Sequence, residues 1–161
     1  MRRLQTQSFD AGQLHDELRQ RAGDAAGAIV TFTGHVRDFA PDTATRTLFL
    51  EHYPGMCERV LDELGESAAQ RWNLAAWSIV HRVGEMARGE PIVFVGAASA
   101  HRGAAFRACE FMIDALKTRA PFWKRETLAD GQAFWVRQAQ ADAERTRAWL
   151  DANDPDTPPA A

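Results

Sequence analysis

Nine consecutive residues without a charge, Pro91-Ile92-Val93-Phe94-Val95-Gly96-Ala97-Ala98-Ser99, constrain the fold of this chain more than any other stretch. The run is strand length, and its first half is rich in β-branched and aromatic residues. No polar residue alternates with the apolar ones, so the strand is expected to be buried on both faces. It runs directly into a helical pattern from about Arg102 to Thr118, with Phe106, Cys109, Ile113 and Leu116 predicted on one stripe. Pro121 stops that helix.

The remaining elements are placed around this pair. Asp10 is set to cap a short helix in which Leu14 and Leu18 share a face. Ala28 to Gly34 reads as a strand opening into a polar loop, His35 to Arg46, that holds Arg37, Asp38 and Pro41. Thr47 to His52 reads as a second strand. Pro54-Gly55 then turns the chain into a helix whose Met56, Val60, Leu61, Leu64 and Ala68 follow the 3.6-residue period. Leu74 to Val83 is a third strand. Beyond Pro121, Phe122 to Leu128 and Ala133 to Arg137 form a hairpin about Asp130-Gly131. A last helix is expected over Gln138 to Leu150, followed by a polar, proline-rich tail, 151–161, with the composition of a disordered segment. Strands and helices alternate without a repeat. The expected class is therefore α+β or α/β in a single domain, 1–150, with a mixed or antiparallel sheet, flanking helices and a C-terminal hairpin.

Composition excludes several functions. The 161 residues carry a net charge of −3 and a pI near 5.9, so no global basic field invites nucleic acid or an anionic membrane. No apolar stretch approaches the ~20 residues that span a bilayer, and the N-terminal arginines have no apolar run behind them. Two cysteines, Cys57 and Cys109, make no disulfide framework, and the expected home is the cytoplasm. The five histidines show no metal-ligand spacing, so no metal is expected. Charge is nevertheless uneven. From His101 to Glu126 six arginines or lysines face three acids, a segment of +3 that leaves −6 for the rest. A local cationic patch on an acidic protein suits a small anionic ligand or an acidic peptide.

Within that patch lie both lysines of the chain, Lys117 and Lys124, in a sequence that otherwise uses arginine, 17 times. Arg keeps its proton under nearly all conditions. Lys is a compact amine that can lose it when desolvated or crowded by cations, and can then serve as base or nucleophile. Phe122 and Trp123 between them can supply an apolar wall, with Arg119 and Arg125 crowding the amines. Two further candidates are Ser99-Ala100-His101-Arg102, where a helix N-terminus favours an anion, and Gly34-His35-Val36-Arg37-Asp38 at a strand end. His101 and Lys117 are sixteen residues apart, so a straight helix separates them by ~24 Å. They serve either the two ends of a long groove or one site shared by two subunits, and the second arrangement is favoured.

Read together, these segments resemble the catalytic subunit family of molybdopterin synthase. The resemblance rests on Val30 to Arg37, Leu50-Glu51-His52-Tyr53-Pro54-Gly55-Met56, His81-Arg82-Val83-Gly84, Ile92 to Gly96, Ser99 to Arg102 and Leu116 to Glu126. The most specific run is Lys117-Thr118-Arg119-Ala120-Pro121-Phe122-Trp123-Lys124-Arg125-Glu126. The resemblance implies an α/β hammerhead-type fold and a homodimer flanked by a small ubiquitin-like sulfur carrier. The carrier's C-terminal Gly-Gly thiocarboxylate would deliver sulfur in two rounds to cyclic pyranopterin monophosphate, giving the molybdopterin dithiolene. It implies catalytic roles for Lys117 and Lys124, with His35, Val36, Arg37, His101, Arg102, Lys117, Lys124, Arg125 and Glu126 lining the substrate pocket, and no cofactor. Two positions depart from the family pattern: Met112-Ile113 stands in reversed order before Asp114, and Arg137 follows Trp135-Val136 directly, so a cross-subunit anion contact through Arg137 stays open. Two other readings compete. A non-catalytic adaptor would capture a partner's acidic C-terminus in a cationic groove, and a phosphate-ester hydrolase would turn over without any partner.

Overall fold

The computed structural model describes residues 1–37, 45–136, 144, 146, 147 and 149. Eight strands and three helices follow in the order β1 (Arg2–Gln5), α1 (Ala11–Ala22), β2 (Ala28–His35), β3 (Thr45–His52), α2 (Met56–Trp72), β4 (Ala76–Arg82), β5 (Gly84–Ala87), β6 (Pro91–Ser99), α3 (Arg102–Arg119), β7 (Phe122–Leu128) and β8 (Ala133–Val136). The strands make two four-stranded sheets, ordered β1-β4-β6-β2 and β5-β3-β7-β8. The first is mixed, because β1 runs parallel to β4 while its other pairs are antiparallel. The second is wholly antiparallel. The class is α+β as expected, with two sheets where the sequence suggested one.

The uncharged run is β6, flanked by β4 and β2. Its alternation divides it between two helical layers. Val93, Val95 and Ala97 join the main core with Leu61, Leu64, Ala68, Ala108, Met112 and Ala115 of α2 and α3. Phe94 and Ala98 point the other way, toward Leu14 and Leu18 of α1. Asp10 caps α1 by accepting from the Gln13 N–H at 2.8 Å. At the start of α2, Gly55 adopts φ 81°, a region costly for any residue with a Cβ. Its N–H donates to the Glu58 carboxylate at 2.6 Å. Further along α2, Gly65 lies flat on Trp77 of β4, and a Cβ there would stand 2.4 Å from the indole ring.

The buried arc of α3 differs from the predicted stripe. Ala105, Ala108, Cys109, Phe111, Met112, Ala115 and Leu116 are buried, whereas Phe106 is 62% exposed. The helix packs on α2, β6 and β2 at once, so its contact arc is broad and is centred on small residues that permit close approach. Both cysteines are core residues, and burial pushes the Cys109 thiol up to about 12. On the flank of α3, Trp149 Nε1 donates to the buried Asp114 carboxylate at 3.1 Å, and Thr146 donates to the Asp114 carbonyl at 3.0 Å. Arg71 of α2 stacks over the Trp149 ring, 5.9 Å from its centroid. Most of the helix expected over 138–150, the tail 151–161, Arg137, and Asp38 and Pro41 of the polar loop lie outside the described residues.

Two strands show no signal in the sequence. β1 is four residues of mixed polarity, and β5 is a four-residue edge strand directly after β4. Neither is long enough to show a period of two.

Candidate active site

Where the two sheets meet the last turn of α3 there is a cavity of about 650 Å³. Phe32, Gly34, His35, Arg37, Val93 and Ile92 line it from β2 and β6, and Leu48, Leu50, Phe122 and Lys124 from the second sheet. His81 of β4 is also in the wall, and α3 contributes Ile113, Leu116 and Lys117. Both lysines of the chain therefore reach one cavity from different elements. Lys117 arrives from the helix end, and Lys124 from a strand paired with Leu50 and Val136.

Strand alternation sorts the neighbours of Lys124. Phe122 and Lys124 face the cavity, while Trp123 and Arg125 stand on the opposite face of the sheet. Trp123 is half-exposed there, and Arg125 lies over Phe49 at 5.1 Å and Trp135 at 5.9 Å. Arg119 pairs with Glu63 of α2 at 3.8 Å. The expected apolar wall is thus Phe122 without Trp123, and neither Arg119 nor Arg125 lines the cavity. The reason is the two-residue period of the strand, which sends adjacent side chains to opposite faces.

The same alternation operates at the end of β2. His35 and Arg37 line the cavity, whereas Val36 is buried beside Leu48, Leu50 and Met86. Val36 fixes that geometry through its backbone, donating to the Glu90 carbonyl at 2.9 Å and accepting from Gly89 at 2.8 Å. Glu126 follows Lys124 on the same face of β7 but is fully buried and does not line the cavity; its carboxylate accepts from the Thr45 hydroxyl. Its second oxygen has no hydrogen-bond partner among the described residues. His101 and Arg102 are exposed at the far end of α3, outside this cavity. From that end, a shallower groove of about 300 Å³ runs between β2 and α3, lined by Val30, Phe32, Phe106, Cys109 and Ile113. It shares Phe32 and Ile113 with the main cavity.

The cavity wall also holds His81, which opens one of the segments carrying the resemblance but is not among the site residues it implies. Its ring stacks on Phe122, with centroids 4.3 Å apart and planes 23° from parallel. Burial, opposed by the Arg82 carbonyl and reinforced by Lys124, lowers its pKa to about 4. A sequence signal existed, because Trp77, Ile79 and His81 alternate along β4 and the first two belong to the main core. An imidazole in that register is directed toward apolar surroundings.

The charged side chains in the wall are Arg37, Lys117 and Lys124, and among the described residues no Asp or Glu accompanies them. Fold and site together define a mixed α+β protein with a cationic, half-apolar pocket, chemically suited to a small anion bearing a flat ring. The pattern of the MoaE protein family matches residues 4–119, and the chain belongs to that family. The molybdopterin synthase catalytic subunit of Pseudomonas aeruginosa is 49% identical, over 91% of this chain and 97% of its own length. Among solved structures, the molybdopterin biosynthesis MoaE protein of Burkholderia ambifaria superposes with a TM-score of 0.76 at 42% identity, covering 91% of this chain and 95% of its own. Molybdopterin synthase from Staphylococcus aureus gives a TM-score of 0.76 at 31% identity, covering 84% and 96%. No helix among the described residues is long and apolar enough to cross a membrane.

Proposed function

We propose that this protein is the catalytic, sulfur-transferring subunit of a molybdopterin synthase, working in the cytoplasm. It takes sulfur from the C-terminal thiocarboxylate of a small ubiquitin-like partner and places it on cyclic pyranopterin monophosphate, twice, to form the dithiolene. The observation that carries this reading is the cavity in which both lysines of the chain converge with Arg37 and, among the described residues, no carboxylate. Both reactants are anions, so a cavity wall that gathers these cations favours each of them. Sulfur arrives on the partner, and both thiols of the chain are buried, outside the main cavity wall, so sulfur need not pass through a cysteine of this subunit.

Roles follow from placement. Arg37 and His35, at the mouth formed by the end of β2, hold the phosphate and pterin. Lys117, on the last turn of α3, meets the entering tail and polarises or accepts its acyl group. Lys124, rooted in the strand beside Phe122, moves protons or stabilises the developing charge. His101 and Arg102 stand ~24 Å from Lys117 along one helix and therefore act on the site of a second subunit. Phe106 and Phe32, 62% and 41% exposed along the groove between β2 and α3, form the apolar surface that a second copy covers. Val36, Arg125 and Glu126 act from outside the cavity lining: Val36 holds the strand end, Arg125 buttresses β7 from its outer face, and Glu126 secures the start of β3.

The test is reconstitution. The purified protein is incubated with thiocarboxylated partner and cyclic pyranopterin monophosphate, and the dithiolene is quantified. Product that requires the partner supports the proposal. Binding of the partner without product favours the adaptor, and phosphate release without the partner favours the hydrolase.

A further inference from the structure

Arg82 is a buried cation that does not line the main cavity, and the sulfur transfer just described gives it no task. We propose that Arg82 and Glu90 are positioning residues for His35 and Arg37: the Glu90 side chain, held by the Arg82 guanidinium, fixes the turn between β5 and β6. That turn in turn holds the end of β2 in the register that delivers both side chains to the cavity. The inference rests on the reading of the cavity as the sulfur-transfer site.

The end of β2 needs an anchor of its own. Up to Gly34 the strand pairs with β6 residue by residue, but the register shifts between Gly34 and His35, and His35 then stands opposite Pro91. Proline has no N–H to give a neighbouring strand, so the ladder weakens where the site begins. The turn takes over. The Val36 N–H donates to the Glu90 carbonyl at 2.9 Å, and the Gly89 N–H donates to the Val36 carbonyl at 2.8 Å. Register matters here because side chains alternate. A slip of one residue would put His35 or Arg37 where Val36 now packs beside Leu48, Leu50 and Met86.

The turn is held through Glu90. Its Oε2 accepts from the Ala87 N–H at 2.7 Å and lies 3.6 Å from Arg82 Nη1. The Glu90 N–H closes the turn by donating to the Ala87 carbonyl at 3.2 Å. Arg82 is tied to two further segments. Its Nη1 donates to the Pro91 carbonyl at 3.1 Å, and its Nε and Nη2 both donate to the Thr6 carbonyl at 3.3 Å. The guanidinium thus joins the chain just beyond β1, the start of β6 and the turn, using a fork of donors that an ammonium does not possess. The Arg82 side chain is 5% exposed and that of Glu90 39%. The carboxylate can therefore be changed without opening the core.

The test compares Glu90→Ala, which removes the acceptor, with Glu90→Gln, which keeps one for both the Ala87 N–H and the guanidinium. In the Ala variant the KM for cyclic pyranopterin monophosphate should rise between about fivefold and fiftyfold with kcat within about threefold, because His35 and Arg37 bind that substrate. The KM for the thiocarboxylated partner should stay within about twofold. The Gln variant should recover most of the loss. Arg82→Lys keeps the charge but cannot reach Thr6 and Pro91 together, and should raise the same KM. Native-state hydrogen exchange separates positioning from a general loss of stability. The Val36 and Gly89 amides should exchange at least about tenfold faster in Glu90→Ala, while Val95, in the middle of β6, keeps its wild-type rate. An unchanged KM, equal losses in the Ala and Gln variants, or an acceleration shared by Val95 would overturn the proposal. If the wild-type protein makes no dithiolene at all, the sulfur-transfer reading fails instead, and exchange at Val36 still decides whether Glu90 holds the strand end.

Discussion

Arginine could supply positive charge at positions 117 and 124 as well as lysine does, and this chain uses arginine at 17 of its 19 basic positions. On the proposed mechanism the amine itself matters at these two sites. Lys117→Arg and Lys124→Arg are each expected to lower turnover by at least about a hundredfold, because guanidinium cannot give up its proton and is too broad for an acyl centre. Thermal denaturation of the same variants should remain close to wild type. Scarcity made both lysines legible in the sequence. His81 was not legible as a site residue, since its place in the cavity wall depends on Phe122 and Lys124, about forty residues away. Its burial has a consequence for stability. The folded protein resists protonating it until about pH 4, whereas the unfolded chain titrates near 6.5. Above pH 6.5 the ring is neutral in both states and contributes nothing to the pH dependence. Between 6.5 and 4 the unfolded state binds the extra proton, so this residue removes stability as pH falls, by roughly 3 kcal/mol in all. Denaturant unfolding across that range should give a shallower acid slope for His81→Phe than for wild type.

At the scale of elements, α3 carries the site because both of its flanks are tied down. One flank packs on β6 and α2 through small residues, and the other is clasped by Trp149 and Thr146 at Asp114. Trp149→Phe keeps a ring beside Trp72 and Phe111 but strips the buried Asp114 carboxylate of its indole donor. It should cost about 1–3 kcal/mol in denaturant unfolding. Gly65→Ala forces a methyl group into the Trp77 ring, and should cost about 1–3 kcal/mol by the same measurement. The elements that position the site were readable where pattern was strong. β6 showed itself by lacking any polar alternation, and the β7–β8 hairpin by Asp130-Gly131, with Gly131 at φ 87°. The exposure of Phe106 was not readable, because periodicity finds an apolar stripe without saying which neighbour covers it. The division of Trp123 and Arg125 from Phe122 and Lys124 is implicit in the period of two, but it emerges only when the run is treated as a strand and not as a set of adjacent groups.

For the whole molecule, the cavity is assembled from both sheets and α3, and the cations implied at the far end of that helix lie outside it. A second subunit that brings His101 and Arg102 to the cavity would complete the proposed site. Phe106→Asp should therefore convert the protein to a monomer by sedimentation velocity, and should depress turnover although Phe106 is outside the main cavity wall. Sequence could suggest sharing between subunits from helix length alone, but it could not place the groove between β2 and α3 along which a second copy would lie. Sulfur transfer itself is decided by the stoichiometry of the reconstituted reaction, followed by mass spectrometry of the carrier and quantification of the dithiolene. Two partner thiocarboxylates should be converted to carboxylates for each dithiolene formed. Thiocarboxylate left intact in the presence of substrate, or consumed without dithiolene, would contradict a sulfur-transferring role for this cavity.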